Sequence, residues 1–370
     1  MIVDLYSGAR GWDEGARLLG IDGIVGVELD EWACRTSVAA GHPVIRADVE
    51  RYPAGHLAGR VDVLIESPPC QTFSTAGKGA GRVIETELRA AVADAVAGRR
   101  NLGAHRRAMV RTLAAAMPRK TVRSARMQAR RTPGQPRWVE TEPWTRAERT
   151  AEAQAQVRGA TQVVVAARWI YDVRPRAIAL EQVPAVLPLW QAMRPGLERL
   201  GYSVAVGLLS SEQYGVPQTR RRAVLVARLD GEARLPEPTH RPYRRGVPQH
   251  EGDARLLPWR SMADALPHRG PFTVISNYGT GGDPKNRGRR THREPAFTVT
   301  GKISRLRLVD PDGRELPRLT PSEAGLLQGF PADWPWSGND IAQQIGNACP
   351  VPLAAALAEA ATAPALGVAA

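Results

Sequence analysis

Short apolar runs alternate with segments of helical periodicity along the first 70 residues of the chain. Residues 2–6, 23–28 and 61–65 are apolar runs that predict buried strands. Residues 12–19 and 31–40 carry apolar positions at helical spacing. This alternation predicts an α/β fold, with a Rossmann-like, doubly wound, mostly parallel sheet and helices on both faces.

The same alternation resumes in the second half of the chain. Residues 176–180 and 223–227 predict strands, residues 189–200 predict a helix, and residues 350–362 predict an alanine-rich terminal helix. The first domain of the fold is therefore expected to continue well beyond residue 200.

Two stretches interrupt the pattern and divide the chain. Residues 82–158 are rich in arginine and alanine, with helical periodicity and no strand pattern. Residues 230–318 are rich in Pro, Gly, Arg and His, with β-prone pieces at 272–276 and 296–300. We therefore expect the domain boundaries to be as follows: a first domain at 1–229 containing an Arg-rich helical insertion at 80–158, a smaller irregular domain at 230–318, and a C-terminal segment at 319–370 that returns to the first domain.

Charge and cysteine content narrow the class of protein. The formal net charge is +13 and the pI is near 10.4, which favours a polyanionic partner such as nucleic acid. No segment is apolar enough to span a bilayer and no signal peptide is recognised, so we expect no membrane partner. The three cysteines form no C-x-x-C pair and the histidines show no metal-ligand spacing. A metal-free protein of the reducing cytoplasm is expected.

The turn after the first predicted strand suggests a nucleoside cofactor. The stretch DLYSGARGWDEG (4–15) puts glycines directly after the strand, and Glu28 ends the next strand twenty residues after Gly8. An acid at that distance binds a ribose diol in doubly wound folds. The turn lacks G-x-G-x-x-G and a following G-K-[ST], so a cofactor without phosphates, such as S-adenosylmethionine, fits better. The alternative is that the glycines only make a tight turn and Glu28 is a surface acid at a strand end.

The stretch ESPPCQTFS (66–74) presents a cysteine just past another predicted strand. Pro68 and Pro69 have fixed φ and no backbone N–H, so the backbone before Cys70 is held rigidly. Even a slightly ionised thiol is a strong nucleophile. Most lone cysteines are buried hydrophobic residues, but this position at a sheet edge favours a nucleophile.

Six motifs of the chain resemble those of the cytosine-C5 DNA methyltransferases, and they follow the family's order. The resemblance covers residues 1–79 and 160–360, leaving the insertion outside it. The matching stretches are DLYSGARG (4–11), ESPPCQTFSTAGKG (66–79), ALEQV (179–183), GVPQTRRRAVLVA (215–227), RLTPSEAGLLQGFP (318–331) and QIGNACPVPLA (344–354).

The resemblance implies transfer of a methyl group from S-adenosylmethionine to C5 of a flipped-out cytosine in a specific duplex DNA sequence, leaving S-adenosylhomocysteine. Cys70 would add to C6 of the ring, and Glu181 in its protonated form would donate a hydrogen bond to N3. Arg220 and Arg222 would hold the active site and the base. By the same resemblance the cofactor pocket is lined by Tyr6, Gly8, Ala9, Glu28, Leu29, Asp48, Val49, Pro69 and Asn347.

Four positions depart from the family's pattern. Arg10 replaces a glycine of the cofactor turn, and a bulky cation there could crowd a cationic cofactor. Glu66 and Ser67 replace the usual small pair before P-P-C, and Gln182 replaces the asparagine of E-N-V. Taken alone, Glu181 could equally be a strand-end acid that caps the helix starting near Pro184.

Double-stranded DNA is the expected partner, with residues 230–318 as the target-recognition domain. The resemblance also allows a companion restriction endonuclease, and we expect a cytoplasmic, nucleoid-associated monomer of prokaryotic or phage origin. Two alternatives stay open: an RNA-directed relative and a DNA-binding relative that no longer catalyses. Candidate base-reading residues are Arg287, Arg289, Arg290 and Arg305.

The insertion concentrates the positive charge of the chain. Residues 82–158 contain 17 Lys/Arg and 7 Asp/Glu, a net of +10, and residues 99–131 contain 11 Lys/Arg and no acid. We expect a helical arm beside the DNA cleft that contacts phosphates, the alternative being a solvated insertion. The arginines expected on this arm are Arg99, Arg100, Arg106, Arg107, Arg111, Arg123, Arg126, Arg130 and Arg131.

Overall fold

The helices and strands follow the predicted alternation, with additions. The computed structural model describes residues 1–69, 72–73, 80–117, 120–122, 140–277 and 287–362. The strands are β1 (Ile2–Leu5), β2 (Val25–Glu28), β3 (Val44–Arg46), β4 (Val63–Glu66), β5 (Lys120–Val122), β6 (Glu140–Glu142), β7 (Ala177–Gln182), β8 (Ser203–Ser210), β9 (Arg221–Arg228), β10 (Thr273–Ser276), β11 (Arg289–Thr291), β12 (Leu306–Val309) and β13 (Glu315–Leu316). The helices are α1 (Gly11–Arg17), α2 (Glu31–Ala39), α3 (Ala80–Val83), α4 (Glu85–Val96), α5 (Leu102–Ala116), α6 (Arg146–Ala160), α7 (Gln162–Val173), α8 (Leu187–Arg199), α9 (Met262–Ala265), α10 (Pro321–Leu326), α11 (Ile341–Asn347) and α12 (Val351–Thr362).

Seven strands form the central sheet in the order β3-β2-β1-β4-β7-β9-β8. Neighbours from β3 to β7 are parallel, whereas β9 runs antiparallel to both β7 and β8. The carboxyl ends of β1, β2, β4 and β7 therefore meet at one edge of the sheet. Because β9 is antiparallel, it begins at that same edge, where Ala223 pairs with Gln182. This geometry confirms the predicted doubly wound α/β fold.

Helices cover both faces of the sheet. On one face, α4, α7 and α8 bury Leu88, Trp169 and Trp190 completely. On the other face, α1 and α12 bury Trp12 and Leu357 against the sheet. The terminal helix thus returns to the first domain, next to the helix that follows the predicted cofactor turn.

The described part of the insertion packs into the same domain. Val92 of α4, Met109 of α5 and Val157 of α6 are at most 1% exposed and belong to the core cluster of the sheet face. The prediction that this stretch contains no strand was wrong, since β5 and β6 pair antiparallel there. Helices α4 to α6 therefore form an extra layer of the first domain.

The second domain is built on a four-stranded antiparallel sheet, β11-β10-β12-β13. Its core buries Phe272, Val274 and Leu308 together with Leu327 and Ile345 from the C-terminal segment. The β-prone piece at 296–300 is not a strand, because only Ala296 forms a bridge, to Gln218. In the part of the chain that the structure describes, no helix has the length and apolar character needed to cross a bilayer.

The contact between α1 and α12 requires a glycine. A Cβ on Gly15 would lie 2.5 Å from the Ala355 backbone nitrogen and 2.7 Å from the Val351 carbonyl oxygen. On Gly103 of α5, the nearest atom to such a Cβ is the flexible end of Arg107, at 3.6 Å.

We therefore expect opposite effects from one chemical change at these two glycines. Gly15→Ala should lower the free energy of unfolding by about 1–3 kcal/mol, because the two helix backbones must separate. Gly103→Ala should raise it by about 0.5–1 kcal/mol, because alanine is the better helix former. Urea unfolding followed by circular dichroism measures both free energies. An unchanged free energy of unfolding in Gly15→Ala would contradict the close approach of α1 to α12 at this residue.

Candidate active site

The turn after β1 adopts three left-handed conformations in close succession. Tyr6, Gly8 and Arg10 have φ of 60°, 51° and 69°. The backbone N–H of Gly8 donates to Glu28 Oε2 at 2.9 Å, and Glu28 Oε1 accepts from the N–H groups of Leu29 and Asp30. The Glu28 carboxylate therefore joins the turn after β1 to the turn after β2, at the predicted cofactor edge.

Arg10 directs its side chain away from this edge. The guanidinium is fully buried, donates to the Ile24 carbonyl at 2.7 Å and pairs with Asp13. A Cβ on Gly26 would lie 1.5 Å from Arg10 Nη1, so the glycine makes room for it. Ile24 precedes β2, whereas Glu28 ends it, so the positive charge lies towards the opposite end of the strand. The Arg10 guanidinium is therefore directed into the interior of the domain rather than at the predicted cofactor edge.

The segment after β3 forms a wall beside Glu28, which we call the β3 wall (residues 47–50). The Ala47 N–H donates to the Glu28 carbonyl at 2.9 Å, and Asp48 Oδ1 accepts from the Glu50 N–H at 2.9 Å. Val49 is 3% exposed, and its carbonyl accepts from Trp169 Nε1 of α7. The β3 wall is thus held between β2 and α7.

The other predicted cofactor residues lie around this edge. Tyr6 is half-buried and its hydroxyl donates to Gln162 Oε1 at 3.1 Å, while Ala9 is buried beneath the turn. Leu29 is 61% exposed beside Glu28, and Pro69 is exposed after β4.

The C-terminal segment also reaches the cofactor turn. A Cβ on Gly11 would lie 2.1 Å from the Cys349 carbonyl oxygen, so the chain just after α11 runs against the start of α1. Asn347 is exposed two residues earlier, and its side chain accepts from Gln343 Nε2. The C-terminal segment therefore brings Asn347 near the turn.

Glu181 lies at the end of β7 in a dense polar cluster. It is 3% exposed, and Arg222 Nε lies 2.5 Å from its Oε1. Its Oε2 accepts from Ser67 Oγ at 3.3 Å. The antiparallel β9 and the end of β4 together deliver these two partners, so three strands converge on one carboxyl group.

Cys70 lies outside the described residues, but the chain leading to it is well placed. Gln182 Nε2 donates to the Pro68 carbonyl at 2.5 Å. The residue before Pro68 is Ser67, which contacts Glu181. The glutamine that departs from E-N-V thus ties the chain before Cys70 to the end of β7, one residue after Glu181.

Arg220 joins the site to two later segments of the chain. It is 2% exposed and donates to the carbonyls of Val299, Gly346 and Ala348, at 2.8, 2.8 and 3.2 Å. Burial lowers the pKa of Arg220 to about 9. Arg220 and Arg222 therefore have different roles, since the first clamps backbone carbonyls and the second pairs with the Glu181 carboxyl.

The family profile of C-5 cytosine-specific DNA methylase matches residues 1–96, 150–255 and 262–363. The chain belongs to this family. Its members are DNA cytosine-5 methyltransferases, which confirms the resemblance read from the six motifs. The matched range also includes all of α4, in agreement with the burial of this helix in the core.

Two curated relatives and one solved structure match this chain over nearly its whole length. The methylase is 27% identical over 392 residues to the Type II methyltransferase M1.HphI of Haemophilus parahaemolyticus, covering 97% of this chain and 85% of that protein. It is 25% identical to M.PspPI of a Psychrobacter strain, covering 97% and 78%. The crystal structure of the S. pombe Dnmt2 methyltransferase matches with a TM-score of 0.53 at 16% identity, covering 98% of each chain, which supports the fold.

Sequence reasoning missed one feature of the methylase site, a relay of hydrogen bonds from α1. Trp12 Nε1 donates to Ser67 Oγ at 2.9 Å, and this leaves the Ser67 hydroxyl hydrogen directed at Glu181 Oε2. In the sequence, Ser67 stands out only as a departure from the usual small residue. The relay is invisible there because its members are 55 and 114 residues apart.

Glu66, the other half of that departure, has no hydrogen-bond partner for either carboxyl oxygen among the described residues. It is completely buried, and burial raises its pKa well above the ordinary value. We assign Glu66 no step in methyl transfer.

We expect removal of the relay hydroxyl to slow methyl transfer. Ser67→Ala should lower kcat about tenfold, because the Glu181 carboxyl loses the hydrogen bond that orients it, with little change in KM for DNA. Ser67→Thr, which keeps a hydroxyl, should restore most of the rate. Trp12→Phe should lower kcat less than Ser67→Ala does, because it removes only the hydrogen bond that orients the Ser67 hydroxyl.

A double-mutant cycle separates positioning from a purely structural role. If Ser67 acts through Glu181, Ser67→Ala should cost little in a Glu181→Gln background. Equal costs in both backgrounds, measured by single-turnover methylation, would show that Ser67 does not act through Glu181.

Proposed function

We propose that Cys70 is the nucleophile of this methylase and that Glu181 is the donor to N3 of a flipped-out cytosine. The observation that carries the proposal is the convergence on Glu181 of Arg222 and of Ser67, three residues before Cys70 in the chain. Both groups would then face a base at the carboxyl edge of the sheet, where doubly wound folds bind ligands.

The two described cysteines support this choice of nucleophile. Burial raises the pKa of Cys34 to about 11 and raises the pKa of Cys349 well above its ordinary value. Both thiols therefore stay protonated at neutral pH and are poor nucleophiles. Cys70 is the remaining cysteine of the three in the sequence, and it follows an exposed proline.

The chemistry requires an addition before the methyl transfer. The Cys70 thiolate would form a bond to C6 while the ring gains negative charge, and Glu181 in its protonated form would donate to N3 as that charge develops. C5 then becomes nucleophilic. After methylation a base takes the C5 proton, the electron pair of that C–H bond restores the C5–C6 double bond, and the S–C6 bond breaks with its electron pair returning to sulfur as thiolate.

The cofactor edge suits S-adenosylmethionine. When bound, S-adenosylmethionine supplies an electrophilic methyl group on its sulfonium. Glu28 would accept from the ribose diol. Asp48 and Glu28 would offset the positive charge, while Val49 and Leu29 would contact the apolar parts of the cofactor. Phosphate-binding groups are not needed by this cofactor.

Residues 230–318 are proposed to choose the target sequence. Arg289 and Arg305 are exposed and suit contacts with base edges or phosphates. Arg290 is a weaker candidate, because its guanidinium donates to the Thr219 hydroxyl and to the Ala296 carbonyl and lies over the Phe297 ring. The named relatives are Type II methyltransferases, so we also propose a companion restriction endonuclease that shares the target sequence.

A mechanism-based trap tests the nucleophile. A duplex that carries 5-fluorocytosine at the target should form a complex with the protein that survives denaturing electrophoresis, because fluorine does not leave as a proton does. Cys70→Ser should give no trapped complex and no methylation, since an alcohol is far less ionised than a thiol.

Cys34→Ala is the matched control and should keep both trapping and methylation. Sequencing of the methylated cytosines in DNA from an expressing cell identifies the target for the trap. Trapping that persists in Cys70→Ser, or is lost only in Cys34→Ala, would show that Cys70 is not the nucleophile.

A further inference from the structure

Three of the five described arginines that were expected on the arm are engaged within the protein. Arg99 pairs with Asp94 at 2.5 Å, and Arg100 forms a two-pronged pair with Asp172 of α7. The predicted phosphate arm is therefore not supported for Arg99, Arg100 or Arg106. Of the remaining arginines expected on the arm, Arg107 and Arg111 are exposed, whereas Arg123, Arg126, Arg130 and Arg131 lie outside the described residues.

Arg106 makes the most extensive of these internal contacts, and it makes them to the β3 wall. Its Nη1 and Nη2 donate to the two carboxyl oxygens of Glu50, at 2.5 and 2.9 Å, and its Nε donates to Thr161 Oγ1 at 2.9 Å. All three nitrogens of the guanidinium thus have a partner. A bidentate pair of this kind fixes both distance and orientation.

The backbone that carries Arg106 is rigidly held. Met109 and Leu113, further along α5, are 0% and 4% exposed in the domain core. The Arg106 and Glu50 side chains are themselves about three-quarters buried, at 26% and 24% exposure. The contact is therefore sheltered from solvent on both sides, unlike an ordinary surface ion pair, which contributes little.

Glu50 also transmits its position to the predicted cofactor residues next to it. Its N–H donates to Asp48 Oδ1, and its carbonyl accepts from Arg168 Nη2 at 2.8 Å. Val49 lies between Asp48 and Glu50 in the chain, and its carbonyl accepts a hydrogen bond from Trp169 Nε1. Movement of Glu50 would therefore move Asp48 and Val49 relative to Glu28.

We propose that Arg106 is a positioning residue for cofactor binding: α5 of the insertion braces the β3 wall through the Arg106–Glu50 pair. The inference rests on the proposed function, because it takes Asp48 and Val49 as lining the cofactor pocket. It gives Arg106 and helix α5 a role within the catalytic domain. The guanidinium also lowers the pKa of the Glu50 carboxyl by its hydrogen bonds, which keeps the pair ionised.

The affinity for S-adenosylhomocysteine tests the proposal, because it needs no turnover. Calorimetric titration should give a dissociation constant about tenfold higher for Arg106→Ala, the worth of one charge-assisted hydrogen bond. Arg106→Lys keeps the charge but loses the fork, and it should weaken binding about threefold. The neighbouring exposed Arg107→Ala is the matched control and should bind within about twofold of the unaltered protein.

Coupling to Glu50 gives a second, independent readout. Glu50→Gln should weaken cofactor binding as Arg106→Ala does, and the double variant should be no worse than either. Duplex affinity and its salt dependence, measured without cofactor, should be unchanged in Arg106→Lys and Arg106→Ala. A purely structural defect would lower both affinities together.

The outcomes that overturn the inference differ from those that overturn the proposed function. Cofactor affinity in Arg106→Ala equal to that in Arg107→Ala would overturn it, as would a flatter salt dependence of duplex binding, which would mean that Arg106 contacts phosphate. If Arg106→Ala does not fold, unchanged cofactor affinity in Arg106→Lys and Glu50→Gln overturns it equally. Failure of the unaltered protein to bind S-adenosylhomocysteine would instead contradict the proposed cofactor.

Discussion

The buried guanidinium of Arg220 is the contact on which the assembly of this molecule depends. An arginine with 2% exposure would be costly to bury without hydrogen-bond partners. Its partners here are carbonyls of Val299, in the second domain, and of Gly346 and Ala348, at the end of α11. Segments nearly 130 residues apart in the chain are thereby held at one point beside the active-site edge.

The candidate functional side chains lie at the same edge of the central sheet because of the direction in which its strands run. Five parallel strands end there, and the antiparallel β9 begins there. Glu28, Ser67, Glu181 and Arg222 therefore converge although each comes from a different strand end. The hydrogen bonds from Gly8 to Glu28 and from Trp12 through Ser67 to Glu181 link the cofactor turn and helix α1 to the candidate catalytic carboxyl.

The insertion illustrates how a basic segment can belong to the interior of a domain. Its amphipathic helices add a layer whose apolar side chains, such as Leu88 and Met109, are fully buried. Two of its arginines, Arg100 and Arg106, pair with acids outside the insertion, Asp172 and Glu50. Net charge alone therefore overstates how much of the insertion is available to a polyanion, because ion pairs to other segments do not appear in a local count.

Much of the fold and of the candidate site follows from local sequence pattern. The apolar runs at 2–6, 23–28, 61–65 and 176–180 predict β1, β2, β4 and β7 to within two residues at their carboxyl ends, and parallel pairing then places the following residues at one edge. The order of the six motifs was sufficient to recognise the family. These features are local, because apolar runs, glycine turns and the P-P-C stretch each act within a few residues.

Other features were decided only by tertiary structure. The short β3 and the edge strand β8, which is only partly buried, carry weak apolar patterns, and α7 is apolar on most sides, so periodicity did not define them. The orientation of Arg10 depends on space left by Gly26, and the partners of Ser67 and Arg106 lie 55 to 114 residues away. The sequence by itself determined which chemistry the edge would carry, whereas long-range packing decided which side chains hold that chemistry in place.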